Sequence, residues 1–207
     1  MGRGTTLILT AALTVSLVTF AAAWRPPGDN KGYAPAQPIA FSHRVHAGDL
    51  RISCFYCHSG AESSRYAGIP AANVCMNCHV SVTATLGAVQ RAQQAKQSAP
   101  ESKELRKLYD ALALDDTLAP IDGKTAKPIV WRRVHTLPQF VYFDHRAHIA
   151  AQVACRQCHG LVETMDTVRQ FETLAMGWCV NCHRDVNQTG VAGKPVHAST
   201  DCVTCHY

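Results

Sequence analysis

The chain has 207 residues, a formal net charge of +5 and a hydrophobic fraction of 47%. This length fits one domain, and the average composition excludes collagen-like, disordered and polytopic membrane proteins. The basic excess alone would suit an acidic partner or nucleic acid. The unusual feature is the number of cysteines, which is ten.

The N-terminal segment is apolar and precedes a spacer rich in proline and glycine. Arg3 is followed by an uncharged stretch that ends at Trp24, which is long enough to span a membrane and closes with an interfacial aromatic residue. The alternative is a cleavable export signal with its cleavage site in Ala21–Ala23. We favour a single transmembrane anchor over residues 1–24 and a linker over residues 25–40. Both interpretations place the rest of the chain on the periplasmic side of a bacterial cytoplasmic membrane.

All ten cysteines fall in C-x-x-C pairs that are followed at once by histidine. The five motifs are Cys54-x-x-Cys57-His58, Cys75-x-x-Cys78-His79, Cys155-x-x-Cys158-His159, Cys179-x-x-Cys182-His183 and Cys202-x-x-Cys205-His206. This pattern is typical of covalent haem attachment, because two thiols add to the vinyl groups on one porphyrin edge while the adjacent imidazole binds the iron. One copy could be a zinc site or a redox dithiol, but five pairs cannot all be combined into four-cysteine zinc sites. We therefore predict five covalently bound haem c groups.

The predicted haems also affect the expected charge and core. Each haem adds two propionates and a ferric centre, so the oxidised holoprotein should be roughly neutral, and the excess of Lys and Arg compensates propionates. About 165 residues follow the anchor and linker, too few to build a separate apolar core around five macrocycles. The predicted fold is therefore mainly α with much irregular structure, and the haems form most of the core.

A second repeated pattern, F-x-H-x-x-H, precedes each pair of motifs. It occurs as Phe41-Ser-His43-Arg-Val-His46 and as Phe143-Asp-His145-Arg-Ala-His148. Histidines three apart on a helical turn lie on one side, so each can reach an iron. We predict that these four histidines are distal ligands. The haem domain, residues 41–207, then divides into a two-haem unit (41–80), an insertion (81–130), a second two-haem unit (131–190) and a fifth site (191–207).

The fifth distal position is open between His135, His197 and Met176. We favour His135 because it lies just upstream of the second histidine run. A methionine ligand would raise the potential of that haem relative to bis-histidine neighbours, although a lone thioether on an apolar segment is more often a packing residue. Irons with two strong axial ligands have no position free for a substrate, which favours electron transfer over catalysis.

The insertion contains neither cysteine nor histidine and is predicted to form two helices and a loop. Leu105, Leu108, Tyr109 and Leu112 follow the i, i+3, i+4, i+7 spacing of an amphipathic helix. Such a stripe predicts packing against the haems or against a partner. Asp122-Gly123 marks the loop that follows.

The sequence resembles the pentahaem cytochrome subunit of alternative complex III, a bacterial quinol oxidoreductase. The resemblance is carried by the N-terminal apolar segment and by the runs FSHRVH, CMNCH, WRRVHTLPQFVYFDHRAH, MGWCVNCHR and the terminal CHY. It weakens in residues 80–100. The F-x-H-x-x-H pattern alone is also similar to that of class III cytochromes c, which supports distal ligation only.

The resemblance implies a subunit that conducts electrons and leaves quinol oxidation to other subunits. The implied partners are an iron–sulfur and molybdopterin-enzyme-like subunit, integral membrane subunits that bind quinol, and a monohaem cytochrome c. The implied acceptor is a periplasmic cytochrome c or a terminal oxidase. Two alternatives remain open: a self-contained, membrane-anchored multihaem quinol dehydrogenase and, less favoured, a multihaem reductase of oxyanions.

Overall fold

The structure, a computed structural model, describes residues 29–98 and 102–206. Within these residues the α-helices are α1 (Cys54–Cys57), α2 (Ala72–His79), α3 (Leu86–Gln94), α4 (Lys103–Ala111), α5 (His145–Ala150), α6 (Cys155–His159), α7 (Met176–Thr189) and α8 (Cys202–Cys205). A π-helical turn covers Arg44–Asp49, and 3-10 turns cover Ser59–Ala61 and Val162–Thr164. In the described part of the chain, β-structure consists of isolated bridges between single residues. The prediction of a mainly helical chain with much irregular structure is confirmed.

Local sequence sets where the helices begin and end. The carboxylate of Asp144 caps α5 by accepting a hydrogen bond from the backbone N–H of Arg146, and the Thr85 hydroxyl caps α3 in the same way. Gly160 ends α6 with φ +69°, and Gly190 ends α7 with φ +78°. Residues with a Cβ rarely adopt these angles, so glycine stops each helix directly after its motif or last turn.

The insertion forms the two predicted helices, α3 and α4. Leu108 and Tyr109 of the predicted apolar stripe are buried, with 3% and 0% of their surface exposed. The Tyr109 hydroxyl donates a hydrogen bond to the backbone carbonyl of His79, 2.8 Å away. The stripe therefore packs the insertion onto the second C-x-x-C-H motif, and its packing against the haems or a partner stays a prediction.

Each histidine run forms a backbone hydrogen bond with the other unit of the duplicated chain. In the first run, the backbone N–H of Arg44 donates to the carbonyl of Met165, in the loop after α6. In the second run, the backbone N–H of His145 donates to the carbonyl of Arg65, in the loop after α1. Arg44 also forms an ion pair with Asp166 at 3.1 Å. A loop of each unit thus helps to position the histidine run of the other.

Few large side chains are buried by polypeptide alone. Among the described residues, Tyr109 and Gln170 are the large side chains with almost no exposed surface, while Leu50, Tyr66, Val130 and Val203 are more than half exposed. Close packing of side chains is the usual source of a core, and here it is limited to small clusters. That bound macrocycles complete the core remains a prediction.

The predicted N-terminal anchor, residues 1–24, lies outside the described residues. In the ranges that the structure describes, none of the helices has the length and apolarity that crossing a membrane requires.

Candidate haem-binding site

The thiol pairs lie on short helices that hold their cysteines one turn apart. In α1, α6 and α8 the C-x-x-C pair makes up the helix, in α2 it forms the last turn, and in α7 it lies in the first half. Residues three apart on a helix lie on one side, so both thiols of a pair can reach one porphyrin edge. All ten cysteines are free and at least partly exposed, as covalent attachment requires.

Four pairs of histidine rings face each other at nearly constant separation. The distances between ring centres are 6.4 Å for His43–His58, 6.1 Å for His46–His79, 6.5 Å for His145–His159 and 6.1 Å for His148–His183. A histidine nitrogen binds a transition metal at about 2.0 Å, and its ring centre lies about 1.1 Å behind that nitrogen, so rings on opposite sides of one iron have centres about 6.2 Å apart. The residues present therefore fit a haem iron between each pair.

The pairing follows one rule in both units. The first histidine of each run, His43 or His145, faces the first motif of its own unit. The second histidine, His46 or His148, faces the second motif. Two histidines on one turn thus serve two neighbouring sites, which brings those sites close together.

Backbone carbonyls orient most of these rings. Six Nδ1–H groups donate hydrogen bonds of 2.6–2.9 Å to backbone carbonyl oxygens. The donor and acceptor residues are His46 and Ser42, His58 and Gly68, His79 and Val82, His145 and Arg65, His148 and Asp144, and His183 and Ser199. A proton on Nδ1 leaves the lone pair on Nε2, which is the nitrogen that would bind iron. The Nδ1 of His43, in contrast, is buried without a hydrogen-bond partner.

Burial keeps two of the paired rings neutral. Burial, together with smaller contributions from the nearby His58 and His46, lowers the pKa of His43 to about 4. Burial likewise lowers the pKa of His159 to about 4, with smaller contributions from His135 and His145. A metal binds neutral imidazole, so these shifts reduce competition from protons.

Sequence reasoning missed the role of the phenylalanine in each F-x-H-x-x-H run. The Phe41 ring contacts His43 edge-on at 4.9 Å and stacks on His46 at 4.3 Å. Phe143 contacts His145 at 4.9 Å and His148 at 4.6 Å in the same way. One aromatic ring therefore fixes both distal histidines, and its repetition in both runs was the available signal.

Arg65 is a second residue that sequence reasoning did not single out. Its guanidinium lies 4.2 Å from the Tyr142 ring centre and 4.9 Å from that of Tyr66. Its Nε is buried without a hydrogen-bond partner, and its backbone carbonyl holds the predicted ligand His145. A cation with an unused donor at this place suits a haem propionate. The basic excess indicated such compensation only in general.

The fifth site differs from the other four. The ring beside His206 is Phe140, with centres 5.7 Å apart, and among the described residues no histidine faces His206 at the separation of the four pairs. His135, the predicted fifth ligand, packs edge-on against His159 at 4.4 Å. The structure therefore does not bring His135 and His206 together. The other candidates, His197 and Met176, are both exposed.

Contacts between motifs place the attachment sites in a row. The first and second motifs are joined by a hydrogen bond of 2.8 Å from Asn77 to the Tyr56 hydroxyl. Burial raises the pKa of the Cys155 thiol, and the nearby Cys54 thiol of the first motif raises it further. The third motif therefore lies beside the first.

The row continues through the third, fourth and fifth motifs. The amide of Gln157 lies 3.9 Å from the sulfur of Cys182, which joins the third motif to the fourth. Burial, with the nearby Cys182 as the next cause, raises the pKa of the Cys158 thiol to about 11. Burial also raises the pKa of Cys179, with Cys205 of the fifth motif as the next cause. These contacts link the motifs to one another in the order second, first, third, fourth and fifth.

Comparison with known proteins agrees with this site. Residues 141–207 match the family described as cytochrome c7 and related cytochrome c. The multiheme cytochrome c subunit of menaquinone reductase from Nitratidesulfovibrio vulgaris is 28% identical over 190 residues, which cover 82% of this chain and 76% of the relative. High-molecular-weight cytochrome c of the same organism is 26% identical over 188 residues, covering 74% of this chain but only 33% of the relative.

The chain is thus similar to multihaem c-type cytochromes over most of its length, and the paired histidines are what such a protein requires. It carries covalently bound haem c and is an electron-transfer component rather than a catalytic enzyme.

Proposed function

We propose that this protein is the electron-transfer subunit of a membrane-bound respiratory quinol-oxidising complex of the alternative complex III type, with five haem c groups. The observation that carries the proposal is the set of four histidine pairs, each of which places one histidine of a run opposite the histidine of one attachment motif. A haem iron with two strong axial ligands exchanges single electrons and has no free position for a substrate. The relative named as a menaquinone reductase subunit supports a place in a quinone-linked complex.

In this proposal the chain's own residues hold and orient the haems. The ten cysteines anchor the porphyrins, and His58, His79, His159, His183 and His206 are the proximal ligands. His43, His46, His145 and His148 are the distal ligands of the first four sites. Hydrogen bonds from Nδ1 to backbone carbonyls fix the ring orientations, and burial keeps His43 and His159 unprotonated.

The row of motifs supports a single path for electrons. Electron tunnelling falls steeply with distance, so transfer should run between neighbours, from the second motif through the first, third and fourth to the fifth. The ends of the row are the sites of His79 and His206. We propose that one end receives electrons and the other end delivers them.

The proposed location is the periplasmic face of a bacterial cytoplasmic membrane, with residues 1–24 as a single anchor. The proposed partners are an iron–sulfur and molybdopterin-enzyme-like subunit, quinol-binding integral membrane subunits and a monohaem cytochrome c. A downstream cytochrome c or terminal oxidase would accept the electrons. The cytochrome relative in a menaquinone reductase supports the existence of partner subunits.

The name of that relative also favours a second candidate function, in which electrons flow towards menaquinone. The haem row would serve either direction, because conduction along it requires only neighbouring sites. The complex purified from native membranes distinguishes the two. In the quinol-oxidising direction, a menaquinol analogue reduces the haems; in the opposite direction, reduced haems are oxidised by a menaquinone analogue.

The test of the conductor role uses the matured chain alone. Its mass should exceed that of the polypeptide by five haems, and reduced chain should pass electrons to an oxidised monohaem cytochrome c. A menaquinol analogue should leave the isolated chain oxidised, because quinol oxidation belongs to partner subunits. Reduction of the isolated chain by that analogue would instead identify a self-contained quinol dehydrogenase. A mass with fewer than five haems would contradict the predicted cofactor number.

A further inference from the structure

The haem proposed at Cys202 and Cys205 needs a distal ligand that is not one of the four paired histidines. Nine of the eleven histidines are accounted for by the five motifs and the two histidine runs. Of the remaining two, His135 is half-buried against His159. His197 is exposed, and its position relative to helix α7 decides whether it can serve.

The C-terminal segment runs antiparallel to α7. Asn187, near the end of α7, exchanges two hydrogen bonds with the backbone of Ala198, at 2.7 and 2.8 Å. One turn earlier, Nδ1 of His183 donates to the carbonyl of Ser199 at 2.6 Å. These contacts fix the register of the segment and leave the fifth motif to continue towards the start of α7.

The register separates the two exposed candidates. His197 precedes Ala198 and so lies at the Asn187 end of α7, about 16 Å along the helix axis from Met176. The fifth motif lies at the other end, where its Cys205 neighbours Cys179 in the first turn of α7. His206 directly follows Cys205, which favours the first turn of α7 over its last turn as the part of that helix nearest to His206.

Met176 is the first residue of α7 and lies one turn before Cys179. Its surface is 68% exposed although the side chain is apolar. A thioether is a soft ligand that haem iron accepts opposite histidine. The side chain therefore has the position, the exposure and the chemistry that the fifth site needs.

We propose that the sulfur of Met176 is the distal ligand of the haem attached at Cys202 and Cys205, opposite His206. This inference rests on the proposed haem at that motif. Histidine–methionine ligation raises a haem's potential above that of bis-histidine haems. The fifth site would then be the most oxidising of the row, which makes it the end where electrons collect before leaving the chain.

The test compares Met176→Leu with Met165→Leu in the matured full chain. Met165 is a buried methionine with 6% of its surface exposed. Its replacement by leucine makes the same chemical change, the loss of one thioether, at a position away from the fifth site. Near-infrared magnetic circular dichroism of the wild type should show one methionine-ligated haem among five. Met176→Leu should abolish that signal, create one high-spin haem and bind one carbon monoxide per reduced chain, while Met165→Leu should change nothing.

A second variant separates ligation from a merely structural role. Met176→His should keep all haems low-spin but lower the highest potential in a redox titration, because a bis-histidine site replaces the mixed one. Five bis-histidine haems in the wild type, or a high-spin haem produced by His197→Ala or His135→Ala rather than by Met176→Leu, would overturn the assignment. A mass that lacks the haem at Cys202 would contradict both the proposed number of haems and this inference. Five attached haems, together with a Met176→Leu variant whose spectra match those of the wild type, would contradict this inference alone.

Discussion

Replacing Gly160 by alanine should destabilise the third attachment site. Gly160 is buried, directly follows His159 and has φ +69° and ψ −163°, a conformation that is essentially restricted to glycine. A Cβ at this position would lie 2.6 Å from Cγ and Cδ2 of Phe171. The substitution therefore combines backbone strain with a steric clash against an aromatic ring.

The size of the effect follows from these two causes. Backbone strain of this kind costs about 1–3 kcal/mol, and overpacking costs about 1–3 kcal/mol more. Gly123→Ala is the matched control, because Gly123 has φ +73° but a Cβ there would meet no atom within 4 Å. The free energy of unfolding should fall by about 2 kcal/mol more in Gly160→Ala than in the control. For a chain of this size that difference lowers Tm by about 4–8 °C more.

Thermal unfolding of the matured protein, followed by circular dichroism, measures this difference. A Gly160→Ala/Phe171→Ala double variant should be less destabilised than the sum of the single variants, because removing the ring removes the clash. Equal Tm values for Gly160→Ala and Gly123→Ala, or strict additivity in the double variant, would refute the steric explanation.

Three further predictions concern the haem ligands and their support. Tyr109→Phe removes the hydrogen bond to the His79 carbonyl and should lower the free energy of unfolding by about 1 kcal/mol, measured by chemical denaturation; an unchanged midpoint would contradict this. His145→Ala should convert one haem to high spin without preventing attachment, which electron paramagnetic resonance and mass spectrometry test, whereas His197→Ala should leave the spectra unchanged. Because burial lowers the pKa of His43 from 6.5 to about 4, the unfolded chain binds a proton there that the folded chain does not. The contribution of His43 to the free energy of unfolding should therefore be complete above pH 6.5 and decrease as the pH drops towards 4. The His43→Phe variant should lose less stability over the same pH range.

Much of the predicted haem-binding chemistry could be inferred from the sequence because the residues that carry it lie in short segments. Both cysteines and the proximal histidine of a motif lie within five residues, so their spacing alone indicates covalent haem attachment. The two histidines of each run lie on one helical turn, and the apolar stripe of α4 follows helical periodicity. Each of these features depends on local geometry, and local geometry is set by neighbours in the sequence.

The pairing of distal histidines with attachment motifs could not be predicted from the sequence, because it depends on contacts between segments that are far apart in the chain. His145 is oriented by a carbonyl 80 residues away, at Arg65, and no local pattern records that contact. The position of His135 against His159 likewise depends on how the second unit folds back on itself. Sequence order suggested His135 for the fifth site, whereas the register along α7 points to Met176.

The sequence by itself determined which residues can carry haem, since thiol and imidazole chemistry needs only their type and spacing. The tertiary structure alone decided which histidine faces which motif and in what order the motifs follow each other in space. The physical reason is that ligation and electron transfer depend on distances of a few ångströms between groups far apart in the chain. Such distances are set by packing and by hydrogen bonds across the whole fold.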